Sequence, residues 1–163
     1  MAFDAFLKID GIPGESTDDK HKEWIEIASY NWGVSQPASA TASSSGGATS
    51  ERANFQDLHV TKTLDKATPK LALACADGTH IKEITLELCR AAGGQKLKYM
   101  EYKMSNCIVS SLSSSGSGGG EPTENLAFNY GKLEVTYTQQ KRADGSGGGT
   151  VAAGWDLQSN KKL

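Results

Sequence analysis

Apolar residues recur at every second position in short runs along this chain. That spacing constrains the fold more than any other feature, because successive side chains of a strand point to opposite faces. Ile84, Leu86 and Leu88 alternate with Thr85 and Glu87. Leu126, Phe128 and Tyr130 share one face, as do Leu133, Val135 and Tyr137. Over 55–63, Phe55, Asp57, His59 and Thr61 fall on one side, and Gln56, Leu58, Val60 and Lys62 on the other. Phe3 to Ile9 reads as a short apolar strand, and Leu97–Met104 with Cys107–Leu112 as one long strand or two. Glu23–Val34 alternates less cleanly, but Trp24, Ile25, Ile27, Tyr30 and Trp32 favour a strand there. Clusters of Gly, Ser and Asn separate the runs. The expected class is all-β: a two-sheet β-barrel or sandwich, one domain over 1–163, with an extended loop at about 36–54.

One segment departs from this period. Thr68-Pro69 opens a run through Leu71, Ala72, Leu73, Ala74 and Cys75, and Gly78 closes it. Thr suits an N-cap, Pro needs no partner in the first helical turn, and Gly tolerates a left-handed C-terminal residue. The expectation is a short flanking helix of about two to three turns, set against the β body as a plug or side brace. Gly93-Gly94, between two strand patterns, reads as a hairpin turn.

Three stretches have too little side chain to pack: Gln36–Ala53, Ser113–Gly120 and Asp144–Thr150. The first exceeds an ordinary hairpin connection. Ala40, Ser43, Ser44, Ser45, Gly46, Gly47, Glu51 and Arg52 within it are candidates for an arm that orders against a neighbouring subunit. A solvated loop is the alternative, and these residues leave both open.

Charge and chemistry exclude more than they suggest. A formal net charge of -2 makes no electrostatic case for nucleic acid or an anionic membrane. Asp4 and Lys8 interrupt the N-terminal apolar run, so no signal peptide is expected. Nothing approaches the roughly 20 apolar residues of a spanning helix, so membrane insertion is not expected either. The three cysteines, Cys75, Cys89 and Cys107, form no Cys-x-x-Cys pair and read as reduced, mostly buried side chains. His21, His59 and His80 have no metal-site spacing. Asp18, Asp19, Lys20 and Lys22 look like an exposed loop. No nucleophile elbow is present, and Cys75 lies at the helix end whose dipole opposes a thiolate. Gly116–Gly120 leads into Pro-Thr-Glu and a strand, which is not the helix a phosphate loop requires. Tyr30 and Trp32 lack the basic groove of a base-stacking platform and read as core. The expectation is a non-enzyme with no cofactor and no metal. A ligand-binding β-sandwich that uses exposed aromatics, and a hydrolase on a barrel, are the competing readings.

The chain also resembles a known family along its length. Met1–Ile9 resembles the opening strand of the Hcp (haemolysin-coregulated protein) family, and Pro13-Gly14-Glu15-Ser16 its next loop. Trp32-Gly33, Asp65–Leu71 with Cys75 and Gly78, Asn125–Tyr137, Gly154-Trp155-Asp156 and Asn160-Lys161 are similar to later family segments, in order. The resemblance implies a tube protein of the type VI secretion system. It implies homohexameric rings stacked into a tube inside a contractile sheath, capped by a spike protein. Small effectors would be carried in the lumen and protected there. It also implies synthesis in the bacterial cytoplasm without a signal peptide, and export by the machine itself. By alternation Ser29 and Asn31 lie opposite Tyr30 and Trp32, so within such a ring they are the candidate lumen residues for effector contact.

Overall fold

The structure, a computed structural model, describes residues 4–37, 52–92, 95–140 and 147–163. Alternation becomes strand wherever a neighbour can complete the ladder. β1 (Asp4–Ile9), β2 (Ile25–Ile27), β3 (Ser29–Asn31), β4 (Val34–Ser35), β5 (Asn54–Phe55) and β6 (Leu58–Thr63) precede the helix α1 (Thr68–Asp77). β7 (Ile81–Ala92), β8 (Gln95–Ser115), β9 (Thr123–Asn129), β10 (Lys132–Gln140), β11 (Gly147–Asp156) and β12 (Lys161–Lys162) follow it.

The strands form two sheets that share β8. The larger runs β12-β11-β10-β8-β7-β1-β2, and the smaller runs β3-β6-β9-β8; β4 and β5 pair separately. All pairings are antiparallel. No single ladder closes into a barrel among the described residues, so the sandwich alternative is the one observed. Leu7, Ile25, Leu58, Ile84, Leu86, Met104, Leu126 and Phe128 fill the space between the sheets.

β8 is one 21-residue strand. Its first half pairs with β7 and β10, and its second half with β9. The passage between sheets falls at Asn106, which takes φ 56, where Gly131 N donates to the Ser105 and Asn106 carbonyls. A strand that changes sheets must bend, and asparagine tolerates this left-handed backbone better than most residues.

Several expected boundaries shift. The run 23–34 divides: β2 joins the larger sheet, β3 the smaller, and Ala28 N donates to Thr61 O at the step between them. The run 55–63 breaks at Gln56-Asp57, so Phe55 pairs with Val34 rather than continuing into β6. Within β6 the alternation holds, with Leu58, Val60 and Lys62 buried and His59 exposed. The expected flexible stretches shorten, because Ser113–Ser115 pair with Thr123–Asn125 and Gly147–Thr150 pair with β10. A neighbouring strand supplies backbone hydrogen bonds that do not depend on side chains.

Helix α1 has the expected length, and Gly78 closes it at φ 68 with its N–H on the Ala74 carbonyl. Its start differs: Thr68 is inside the helix and Ala67 occupies the cap position without a side-chain bond. Asp65 does the capping work instead, its Oδ1 accepting Ala67 N–H at 3.0 Å, while Thr68 Oγ1 accepts Asp65 N–H at 3.1 Å. Leu71 and Ala74 face the sandwich, making the helix a side brace.

Candidate functional site

The outer face of the smaller sheet carries the candidate lumen residues. β3 has only three residues, and Tyr30 points inward against Tyr102, with ring centroids 5.8 Å apart. Its neighbours Ser29 and Asn31 are therefore turned outward, and both are exposed. Ser29 stands opposite Thr61, and Asn31 opposite His59. With Ser111, Ser113 and Asn125 from the adjoining strands they line a shallow groove of about 470 Å³. Thr61 Oγ1 donates to Asn125 Oδ1 at 2.7 Å. At its margin Asp57 accepts from Ser110 Oγ at 2.6 Å and from Asn129 Nδ2 at 3.0 Å.

Among the described residues the groove lining holds no lysine, arginine or carboxylate, and His59 is its titratable side chain other than Tyr30. Hydroxyl and amide groups exchange hydrogen bonds with water at little net cost. Such a face can hold a partner reversibly, without the salt-sensitive grip of a charged patch.

A second surface is apolar. Trp32, Phe55, Leu133, Val135, Ala153, Gly154 and Trp155 line a groove of about 240 Å³. Phe55 and Trp155 stack there at 6.5 Å, while Tyr137 and Val151, further along the same strand pair, remain exposed. Trp32 is held by its neighbours: its Nε1–H donates to the Tyr130 hydroxyl, and its ring packs 5.5 Å from Tyr102. Tyr30 and Trp32, both half-buried, thus pack against the core, as expected from the sequence, and Trp32 also lines the groove.

Of the candidate arm residues, Ala40, Ser43, Ser44, Ser45, Gly46, Gly47 and Glu51 lie outside the described residues. Arg52 is exposed and its guanidinium donates to the Leu157 carbonyl. This brings Arg52 beside the C-terminal strand pair.

A side-chain cluster not legible in the sequence lies on the outer face of the larger sheet. The loop after β1 folds back over that face, with Gly14 N on Glu23 O and Ser16 N on Trp24 O. It buries His21, while Asp19, Lys20 and Lys22 beside it are exposed, as expected. His21 stacks on Phe6 at 4.1 Å and meets Trp24 edge-on. Its Nδ1 lies 2.7 Å from Asp18 Oδ2 and its Nε2 2.9 Å from Glu87 Oε1. The His21 contact, reinforced by Lys96, holds the Asp18 carboxyl below its ordinary value. Cys89 Sγ lies 3.9 Å from His21 Nε2. Burial, aided by the Glu87 and Asp18 charges, pushes that thiol up to about 11. Burial likewise raises Cys107 to about 12, so neither thiol is an activated nucleophile. All three cysteines are free, and Cys89 and Cys107 are buried. The spacing of residues 21, 87 and 89 carries no local motif; only the β1–β7 pairing, with Phe6 opposite Glu87, assembles them.

The family described as "Type VI secretion system effector, Hcp" matches residues 6–137. The chain belongs to the Hcp family. It is 38% identical over 161 residues to Protein hcp1 of Pseudomonas aeruginosa, covering 98% of each chain. A solved structure of a type six secretion system protein superposes with a TM-score of 0.93 at 38% identity, covering 99% of this chain and 100% of that one. Hcp1 from Salmonella typhimurium superposes with a TM-score of 0.79 at 36% identity, with 100% of both chains covered. The chain is therefore a protein of the type VI secretion system, as the sequence resemblance implies. No helix among the described residues is long and apolar enough to cross a membrane.

Proposed function

We propose that the chain is a structural tube protein that acts as a homohexameric ring. Rings stack into a tube within a contractile sheath, carry a spike protein at the tip, and take small effectors through the lumen into a target cell. The protein is made in the bacterial cytoplasm, leaves through the machine it helps to build, and has no catalytic activity of its own. Full-length likeness to Hcp proteins carries this reading. Two surfaces support it. The apolar groove beside exposed Val151 and Tyr137 is the kind of patch that self-association covers. The groove lined by Ser29 and Asn31, without lysine, arginine or carboxylate among its described residues, suits a lumen that holds cargo and lets it go.

Negative-stain electron microscopy of the untagged protein tests the assembly. Uniform six-fold rings with an open centre are expected, and monomers at every concentration would overturn the reading. For the lumen assignment, Asn31→Arg is expected to leave rings intact and to reduce co-purification of effectors. Loss of rings would show that Asn31 belongs to an assembly surface instead.

A further inference from the structure

The buried cluster beneath the loop over 10–24 has the make-up of a metal site. His21 Nε2, a Glu87 carboxylate oxygen and Cys89 Sγ all lie within 4.8 Å of one another. Nitrogen, oxygen and thiolate sulfur together suit a borderline-soft divalent cation. Zinc bonds of about 2.0–2.3 Å at tetrahedral angles place neighbouring ligand atoms roughly 3.3–3.6 Å apart. Here Nε2 stands 2.9 Å from Glu87 Oε1 and 3.9 Å from Cys89 Sγ, one slightly short and one slightly long.

The surroundings are those of a built ligand set. Metal-binding histidines characteristically donate their second ring N–H to a carboxylate, which fixes the ring and the ligating nitrogen. Asp18 accepts from His21 Nδ1 at 2.7 Å, and Lys96 anchors the other Asp18 oxygen at 3.2 Å. Phe6 stacks on the ring and Trp24 closes its edge. Lys98, 3.8 Å from Glu87 Oε2, has Glu101 as its nearer partner at 2.5 Å, so its contact falls away from Oε1, which faces His21.

We propose that His21, Glu87 and Cys89 bind a zinc-type divalent cation, with Asp18 as the positioning residue, and that the bound ion pins the loop over 10–24 to the sheet. The ion takes the place of the hydrogen between Nε2 and Glu87 and of the thiol hydrogen; both leave as protons, and three protein ligands leave one coordination position for water.

Cobalt(II) is the probe. The full chain is stripped with chelator, titrated with cobalt chloride, and followed by absorption spectroscopy. A sulfur-to-cobalt charge-transfer band, with visible bands of tetrahedral intensity, is expected at one ion per chain, and both disappear when zinc displaces cobalt. Cys89→Ala abolishes the charge-transfer band while circular dichroism is unchanged. Cys75→Ala and Cys107→Ala retain it. Asp18→Asn keeps the band but weakens affinity by about 10–100-fold. No band in the parent chain, or a band that survives Cys89→Ala, overturns the proposal.

Discussion

Trp32 Nε1–H donates to the Tyr130 hydroxyl at 2.6 Å, and that hydroxyl donates onward to the Gln56 carbonyl at 2.7 Å. The chain of bonds joins the residue after β3, the end of β9 and the step between β5 and β6. Burial of the Tyr130 phenol pushes its ionisation up to about 12, so it is a neutral donor and acceptor at working pH. Tyr130→Phe leaves the indole N–H and the carbonyl without a partner while preserving the ring. A loss of about 1–3 kcal/mol is expected, read from the urea unfolding midpoint.

Lys62 and Glu124 pair at 2.7 Å with both side chains fully buried. The Lys62 ammonium also reaches Asp65, the Thr63 carbonyl and the Thr68 hydroxyl, tying β6 and β9 to the start of α1. Lys62→Met strands the Glu124 carboxylate in the interior, and a cost of about 3–5 kcal/mol is expected. The double variant Lys62→Met with Glu124→Leu recovers most of that loss in the same denaturation assay. A double variant as unstable as the single one would show that the wider network, not the pair, carries the stability.

Gly14 lies where the loop crosses β2. A Cβ there would meet the Trp24 carbonyl oxygen at 2.5 Å and the Ile25 Cα at 2.8 Å, both main chain and unable to yield alone. Gly14→Ala is expected to cost about 1–3 kcal/mol through this overlap. Thermal unfolding checks it, and Gly118→Ala, with no atom near the added carbon, serves as the neutral comparison.

The Asp156 carboxylate accepts the main-chain N–H groups of Ser159 and Gln158 and turns the chain from β11 into β12. The Ser159 bond, first among these, holds its ionisation below the ordinary carboxylate value. A lowered folded value means the stabilisation is complete above the ordinary value and fades as pH falls through the lowered one. Asp156→Ala is therefore expected to separate from the parent at neutral pH and to converge with it in acid, in unfolding midpoints measured across the acid range.

The helix, the outward turn of Ser29 and Asn31 and the shared face of Leu58, Val60 and Lys62 were legible because each follows from local geometry, 3.6-residue or two-residue, that a short window contains; that this last face turns inward is set by the sheet packing. The polar groove was legible only in part. Alternation placed Ser29 and Asn31, whereas Ser111, Ser113 and Asn125 joined them through ladders between distant strands. His21 was the clearest loss. Nothing in its neighbours Asp18, Lys20 and Lys22 signals its burial, which comes only when Phe6, Glu87 and Cys89 are brought beneath it. The division of 23–34 between two sheets escaped for a related reason, since a step at Ala28 needs no glycine or proline to mark it.

The continuity of β8 through Asn106 has a mechanical consequence. One covalent main chain runs from the edge shared with β7 and β10 to the edge shared with β9, so force applied to either sheet passes to the other along peptide bonds. Sliding the sheets apart would require shearing two sets of antiparallel hydrogen bonds together, whereas sheets joined only by side-chain packing could slip by trading one apolar contact for the next. A chain so built deforms as a single elastic body when either sheet is pulled.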